Sequence, residues 1–235
     1  MSSSTFDISQ PTIFCFTYAG GTGAFFDLIE KDMPSVNLVK LEYAGHGSRH
    51  REKVYNNFDA LADDMFLRIQ SQITENYALL GYSMGSIAAV EVLRRIIDTK
   101  LPLPRHIFLA AHEPHAKSEL SGFTLDERDA WVKQRTIEFG DIPKQLIDNQ
   151  VFWKMYLPLY RADYKLIGEY DFNGLRLHTT IPASIFYSES DTPIKEMKLW
   201  EKYFENCEYH CYVGNHFFIR EYHREIADII MNRLV

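Results

Sequence analysis

The stretch Tyr77-Ala-Leu-Leu-Gly-Tyr-Ser-Met-Gly-Ser86 decides the fold of this chain. Its first four residues form a short apolar run typical of a buried strand, and helical periodicity follows from Ser86 to Ile97. Between them, a Gly-x-Ser-x-Gly pattern places Ser83 on a tight turn, because flanking glycines leave room that larger side chains would fill. The motif is short enough to arise by chance, but the order of strand, turn and helix indicates a nucleophile elbow with Ser83 as the candidate nucleophile.

Short apolar runs alternate with longer amphipathic stretches along most of the chain. This alternation predicts an α/β fold, with a mostly parallel central sheet flanked by helices on both faces. Because the 235 residues contain no linker-like segment, we expect residues 1–235 to form a single domain. The predicted strands are 12–17, 36–43, 77–80, 106–110, 183–187 and 209–213, and the predicted helices include 57–73, 86–97, 195–204 and 220–234.

One long segment interrupts this alternation. From about residue 115 to residue 168 the chain carries helix-like patches at 125–139 and 144–156, with no convincing strand between them. Ordinary connections between elements are about 2–6 residues long. We therefore predict an inserted helical lid over about 115–168; the alternative is a set of surface helices with no gating role.

A serine hydroxyl needs a base to accept its proton and a third group to orient that base. In hydrolases with this topology, the acid and then the histidine follow the serine along the chain. His216 lies in a loop between the last predicted strand and the last helix, whereas His210 lies within the strand and His223 within the helix. Loops commonly present functional side chains, so His216 is the candidate base.

The candidate acid lies at the end of the preceding predicted strand. Asp191 directly precedes Thr-Pro, at a turn that leads towards the next helix. Glu189 is a near alternative, and Asp163 is a distant one within the predicted lid. Asp191 is preferred, although a carboxylate at such a turn also serves as a helix cap in many proteins.

An oxyanion hole needs two N–H donors near the nucleophile. One is the backbone amide of the residue after the nucleophile, Met84, and the other comes from the loop after an early strand. The glycine-rich loop Tyr18-Ala-Gly-Gly-Thr22 has this place in the chain, which makes Ala19 the second candidate donor. The same loop does not fit a phosphate-binding loop, because it lacks the Gly-Lys-Ser/Thr ending of one such motif and the glycine spacing of a dinucleotide-binding motif.

Charge and cysteine content narrow the classes of partner. The formal net charge of −7 argues against a general nucleic-acid binder, which needs a basic face. Neither a secretory h-region nor an apolar run long enough to span a bilayer is present, so we expect a cytoplasmic protein with no membrane partner.

The odd number of cysteines favours buried, reduced thiols over disulfides. The sequence shows no cluster of further metal ligands near them, so we expect no metal site. The three cysteines are Cys15, Cys207 and Cys211.

Taken together, these motifs resemble the type II, or editing, thioesterases that accompany nonribosomal peptide and polyketide synthetases. The matching segments follow the order of that family and span nearly the whole chain. The family usually has His where this chain has Tyr82, and Pro where it has Thr17 and Ala44. The segments are residues 14–21 (FCFTYAGG), 43–49 (YAGHGSR), 81–85 (GYSMG), 159–167 (LYRADYKLI) and 214–218 (GNHFF).

The resemblance implies an α/β-hydrolase with a mobile helical lid. It implies hydrolysis of acyl thioesters on the phosphopantetheine arm of a carrier domain, with Ser83 as nucleophile, Asp191 as acid and His216 as base. Ala19 and Met84 would be the oxyanion donors. The enzyme would need no cofactor of its own, since the substrate carries the phosphopantetheine, and we expect it to be a monomer whose partners are acyl or peptidyl carrier domains.

Two other functions remain open from the sequence. A carboxylesterase or lipase would use the same three side chains on a free ester, and a non-catalytic binding protein would keep the fold and hold a ligand in its pocket. Docking of an acidic carrier would use local basic or apolar patches. Arg49, Arg51 and Lys53 are one candidate cluster, with ordinary solvated surface as the alternative.

Overall fold

The fold is built on one six-stranded sheet, described here from a computed structural model that covers residues 7, 9–114, 124–140 and 142–234. Its strands are β1 (Thr12–Phe16), β2 (Asn37–Lys40), β3 (Tyr77–Tyr82), β4 (His106–Ala110), β5 (Ala183–Ser188) and β6 (Cys207–Tyr212). Their order is β2-β1-β3-β4-β5-β6, and every neighbouring pair is parallel. The predicted α/β class is confirmed, with small shifts at the strand ends.

Burial differs between the centre and the edges of the sheet. The inner strands β1, β3, β4 and β5 are buried along their whole length, as expected of parallel strands covered on both faces. In β6, which forms one edge, Cys211 is exposed and Cys207 is partly exposed, while Cys15 in β1 is buried. The expectation of a buried thiol is therefore wrong for Cys211, because an edge strand has a neighbour on one side only.

Helices cover both faces of the sheet. Side chains alternate along β3, so that Leu79 and Leu80 join apolar clusters on opposite faces of the sheet. None of the helices in the described ranges has the length and hydropathy of a membrane span. The helices are α1 (Asp27–Lys31), α2 (Phe58–Ile69), α3 (Met84–Asp98), α4 (Leu125–Phe139), α5 (Gln150–Glu169), α6 (Ile194–Met197) and α7 (Ile219–Leu234).

Several helix boundaries differ from the sequence prediction, and the largest differences lie in the second half of the chain. The helix predicted at 144–156 begins instead at Gln150, because the side chain of Asn149 accepts a hydrogen bond from the Phe152 amide and caps it there. It then continues to Glu169. The helix predicted at 195–204 divides into α6 and a 3₁₀ segment, Lys198–Lys202, and the short α1 was not predicted because five residues show no clear periodicity.

The two helices between β4 and β5 form a small unit of their own. α4 and α5 pack on each other through Val132, Trp153 and Tyr164. Their outer surfaces are joined by Arg161, whose guanidinium donates to both carboxylate oxygens of Asp129 at 2.5 and 2.6 Å. Residues 115–123 and 141 of the predicted lid segment lie outside the described residues.

Candidate active site

Ser83 follows β3 in a backbone conformation that few non-glycine residues adopt. Its φ is 54° and its ψ is −121°, and α3 begins at the next residue. The Ser83 amide donates to the Ala110 carbonyl of β4 at 2.8 Å. A conformation of this kind costs on the order of 1–3 kcal/mol and persists where the surrounding structure enforces it. The turn therefore holds the hydroxyl at the carboxyl edge of the sheet.

Gly81 and Gly85 flank this turn because neither position has space for a side chain. A Cβ at Gly85 would lie 2.0 Å from the Phe16 carbonyl oxygen, and a Cβ at Gly81 would lie 2.3 Å from the Gly85 carbonyl oxygen. Both obstacles are backbone atoms, which cannot rotate away. The start of α3 consequently lies against the end of β1, which brings Ser83 beside the loop that follows β1.

The structure brings Ser83, His216 and Asp191 into one hydrogen-bonded chain. His216 Nδ1 lies 2.8 Å from Asp191 Oδ2, and His216 Nε2 lies 2.9 Å from Ser83 Oγ. An ionised carboxylate only accepts hydrogen bonds, so Nδ1–H donates to Asp191 and Nε2 is left to accept the Ser83 hydroxyl proton. The geometry therefore selects the histidine tautomer that a general base needs.

Asp191 is placed by the turn that ends β5. The amides of Asp191 and Thr192 both donate to the Ser188 carbonyl, and the Ser188 hydroxyl donates to the Gly214 carbonyl at 2.6 Å. This last bond ties the acid's turn to the loop that carries His216. Of the alternative acids, Glu189 accepts instead from the amide of Ile194 at the start of α6.

Ala19 and Met84 carry the two backbone amides expected to serve as oxyanion donors. Met84 is the first residue of α3, where the amides point along the helix axis and favour negative charge. Ala19 lines the same cavity as Ser83. Across the part of the chain that the structure describes, neither amide donates a hydrogen bond to another residue, so both are available to an oxyanion.

A cavity of about 350 Å³ opens at Ser83. Its walls carry six aromatic side chains, and its charged groups are the carboxylates of Glu113, Asp191 and Glu196 and the guanidinium of Arg135. Such a mixture of apolar walls and few polar groups is typical of small-molecule sites. The aromatic lining residues are Tyr18, Trp131, Phe139, Tyr160, Tyr164 and Phe217.

The end of α4 covers His216 from the cavity side. The Phe139 ring stacks on the imidazole with centroids 4.0 Å apart and an interplanar angle of 19°, and the Arg135 guanidinium lies 4.5 Å from the Phe139 ring. Gly140 ends α4 with φ +85°, and a Cβ there would lie 2.7 Å from Asn215 Nδ2. Any outward movement of α4 would therefore uncover the histidine.

Tyr82, where the resembled family usually has His, braces the loop of His216. Its hydroxyl donates to the His216 carbonyl at 2.6 Å, and its ring stacks on Phe217 at an interplanar angle of 11°. Burial, together with the charge of Asp191, raises the pKa of Tyr82 well above its usual value, so the hydroxyl stays protonated. The residue before the serine thus holds the base in place through the backbone.

Tyr82→Phe is expected to lower stability by about 1–2 kcal/mol, because the buried His216 carbonyl loses its donor. We expect kcat to fall by about 3- to 10-fold with little change in KM, since the loop of the base shifts while the cavity walls stay. Tyr77→Phe is the matched control: its hydroxyl donates to the Pro102 carbonyl at 2.6 Å, away from the site. Urea unfolding and steady-state kinetics check both variants, and equal kcat losses would contradict a role for Tyr82 in placing His216.

The sequence pattern does not reveal the contacts that two side chains, Phe139 and Asp163, make in the structure. Phe139 is one apolar residue among others in a helical stripe, and nothing marks it as the cover of His216. Asp163 is an alternative acid from the sequence, but the structure places it away from His216, bonded to the Gly20 amide and to His46. A single carboxylate within the otherwise apolar or basic segment 159–167 is the signal that could have pointed to a buried polar contact.

No group of three or more His, Cys, Asp or Glu side chains within the described ranges is arranged to hold a metal ion.

The candidate basic cluster is only partly free to meet a partner. Arg49 is bound by Glu52 and Asp64 and is only 10% exposed. Arg51 and Lys53 are exposed. Arg49 therefore belongs to the structural support of its loop.

Comparison with known proteins shows the family to which this chain belongs. The chain is 26% identical over 213 residues to the medium-chain S-acyl fatty acid synthase thioesterase of Rattus norvegicus, covering 88% of this chain and 81% of the relative. It is 25% identical to the probable anguibactin biosynthesis thioesterase AngT of Vibrio anguillarum, covering 89% and 85%. The solved structure of YbtT, a type II thioesterase from the yersiniabactin NRPS/PKS biosynthetic pathway, superposes with a TM-score of 0.82 at 20% identity, covering 96% and 92%. Since the family model described as the thioesterase domain matches residues 11–234, the chain belongs to the thioesterase domain family.

Proposed function

We propose that this enzyme hydrolyses acyl, aminoacyl or peptidyl thioesters held on the phosphopantetheine arms of carrier domains, in nonribosomal peptide or polyketide biosynthesis. Ser83 is the nucleophile, His216 the general base and Asp191 the orienting acid, and the reaction passes through an acyl-enzyme. The observation that carries the proposal is the 2.9 Å contact between His216 Nε2 and the Ser83 hydroxyl, in a chain of the thioesterase family.

In the first step, the Ser83 oxygen attacks the thioester carbonyl while its proton passes to His216 Nε2. The resulting imidazolium is stabilised by Asp191 at Nδ1, and the negative oxygen is stabilised by the Ala19 and Met84 amides. The tetrahedral intermediate then collapses, the C–S bond breaks, and the thiol leaves with the proton from His216. A thiol with a pKa of about 8.5 is a good leaving group, so positioning and oxyanion stabilisation carry most of the catalytic demand.

In the second step, water attacks the acyl group on Ser83, and His216 again accepts a proton. Collapse releases the carboxylic acid and returns the proton to the Ser83 oxygen. Phe139 and the aromatic walls would limit the access of bulk water to the acyl-enzyme. The acyl chain itself would occupy the cavity beside Trp131 and Tyr164.

We assign α4 and α5, within the insertion expected at about 115–168, as the lid. α4 covers His216 and α5 lies over the loop of Ala19, so the arm of a carrier domain would enter where these helices separate from the sheet. The carrier supplies the phosphopantetheine, and the enzyme needs no further cofactor. We expect a cytoplasmic monomer whose partners are carrier domains; among the similar proteins, YbtT is described as belonging to the yersiniabactin NRPS/PKS biosynthetic pathway and AngT as belonging to anguibactin biosynthesis.

The test compares three substrates that share one acyl group: a p-nitrophenyl ester, an acyl-coenzyme A and an acyl-loaded carrier domain. We expect the highest kcat/KM on the carrier, because it adds protein contacts to the thioester chemistry. Labelling by a fluorophosphonate, followed by peptide mapping, should identify Ser83. A preference for the free ester would indicate a carboxylesterase or lipase, and the absence of both labelling and turnover would indicate a binding protein.

A further inference from the structure

The loop that carries Ala19 is held by a carboxylate from α5. Asp163 Oδ2 accepts a hydrogen bond from the Gly20 amide at 2.7 Å, and the same oxygen lies 2.8 Å from His46 Nε2. The side chains of His46 and Asp163 are 1% and 3% exposed. A buried charge is costly unless it is paired, so the two side chains are expected to act as a unit.

Hydrogen-bond partners define the protonation state of His46. Its Nδ1 lies 3.1 Å from the Ala44 carbonyl oxygen and its Nε2 faces the Asp163 carboxylate, and both of these partners only accept hydrogen bonds. With Asp163 ionised, both ring nitrogens donate, and the ring is an imidazolium. Burial alone would lower the pKa of His46, but Asp163, the Ala44 carbonyl and Glu42 outweigh burial and raise the pKa.

The same loop is fixed at two further points. The Tyr43 hydroxyl donates to the Thr17 carbonyl at 2.9 Å, and the Tyr43 ring packs edge-on against His46 with centroids 5.7 Å apart. Gly20 has φ +77°, and a Cβ there would lie 2.1 Å from the Tyr160 ring of α5. The position of the Ala19 amide is consequently tied to the position of α5.

We infer that Asp163 and His46 form a buried ion pair that positions the oxyanion donor Ala19 and links its placement to the seating of α5. Asp163 holds the adjacent Gly20 amide, and His46 neutralises a negative charge that would otherwise oppose the developing oxyanion. Both are positioning residues, since they act through the backbone of residues 19 and 20. The inference rests on the proposed function for Ala19 as a donor to the reacting carbonyl.

The first test is a double-mutant cycle on p-nitrophenyl acetate, a substrate that reports on Ser83 without a carrier. Asp163→Asn keeps a neutral acceptor for Gly20, and we expect kcat to fall by about 10- to 30-fold with KM changed less than about threefold. His46→Gln leaves a buried unpaired carboxylate, and we expect a loss of about 100-fold. The double variant replaces the ion pair by a neutral amide pair, and its kcat should recover to about that of Asp163→Asn.

Asp129→Asn is the matched control, because Asp129 is also a carboxylate paired across the helices but does not touch the loop of Ala19. We expect its kcat to stay within about twofold of the wild type. Losses that add in the double variant, or an Asp163→Asn variant no slower than Asp129→Asn, would overturn the inference.

The second test does not require activity and covers the case in which His46→Gln fails to fold. The ring ¹⁵N resonances of His46 should show a doubly protonated ring at about pH 7.5, one unit above the ordinary histidine value of about 6.5. In Asp163→Asn the ring should be neutral at that pH. A neutral ring in the wild type would overturn the ion pair. The charged or titratable groups facing His46 are Asp163 on α5 and Glu42 and Tyr43 on the segment after β2.

The proposed function and the inference about Asp163 and His46 would be contradicted by different results. If the enzyme hydrolyses p-nitrophenyl acetate through Ser83 but ignores acyl-carriers, the carrier substrate is wrong and the double-mutant cycle still decides the role of Asp163. If Ser83→Ala is as active as the wild type, the proposed chemistry is wrong, and the ¹⁵N measurement still decides whether the ion pair exists.

Discussion

Ser83→Ala is expected to lower kcat/KM on an acyl-carrier by at least about 10³-fold, because the acyl-enzyme can no longer form. Alanine fits the same turn, because it keeps the Cβ of serine and lacks only the hydroxyl that lies 2.9 Å from His216 Nε2. We therefore expect an unchanged melting temperature and an unchanged Kd for the acyl-carrier. Stopped-flow or mass-spectrometric assays of acid release check the rate, and retention of more than a tenth of the activity would contradict the assignment.

The residual rate of Ser83→Ala provides a second criterion. In a hydrogen-bonded chain of nucleophile and base, removal of one member removes most of the benefit of the other, so the losses are far from additive. The Ser83→Ala/His216→Ala variant should therefore be about as slow as Ser83→Ala alone. A further drop of about 10-fold or more in the double variant would mean that His216 activates some other nucleophile, such as water.

The α/β class could be predicted because local signals and tertiary structure agree in the centre of the sheet. β4 was predicted with both its ends correct, since His106–Ala110 is a buried apolar run between polar turns. α4 was also predicted with both ends correct, because Thr124 and Glu127 form a capping box and Gly140 ends the helix. Where signals are weaker the prediction failed: α6 has only four residues, and β6 at the sheet edge leaves Cys211 exposed.

The candidate residues Ser83, His216 and Asp191 could be proposed from chain order, because each follows a strand that ends at the same edge of the sheet. Contacts between residues far apart in the chain could not be proposed in this way. The bonds from Tyr82 to the His216 carbonyl and from the Gly20 amide to Asp163 join residues 134 and 143 positions apart. Sequence periodicity reports which side of an element is buried, but it does not report which distant side chain it meets there.

Asp191→Asn is expected to lower kcat by about 10³- to 10⁴-fold, because the amide removes the charge that stabilises the imidazolium and can donate to Nδ1. If the introduced side-chain amide donates to Nδ1, the proton of His216 moves to Nε2, and Nε2 can no longer accept the Ser83 proton. KM should change little, since the cavity walls remain.

Glu189→Gln is the matched control for Asp191→Asn, as Glu189 is the alternative acid at the same strand end and caps α6 through the Ile194 amide. We expect its kcat to remain within about threefold of the wild type, because a glutamine oxygen still accepts that hydrogen bond. The pH dependence of kcat adds a second readout: in the Asp191→Asn variant the rate should rise towards alkaline pH, where hydroxide acts in place of His216, whose Nε2 carries the proton. A larger loss in Glu189→Gln than in Asp191→Asn would transfer the role of acid to Glu189, even though Asp191 is the carboxylate that lies 2.8 Å from His216 Nδ1.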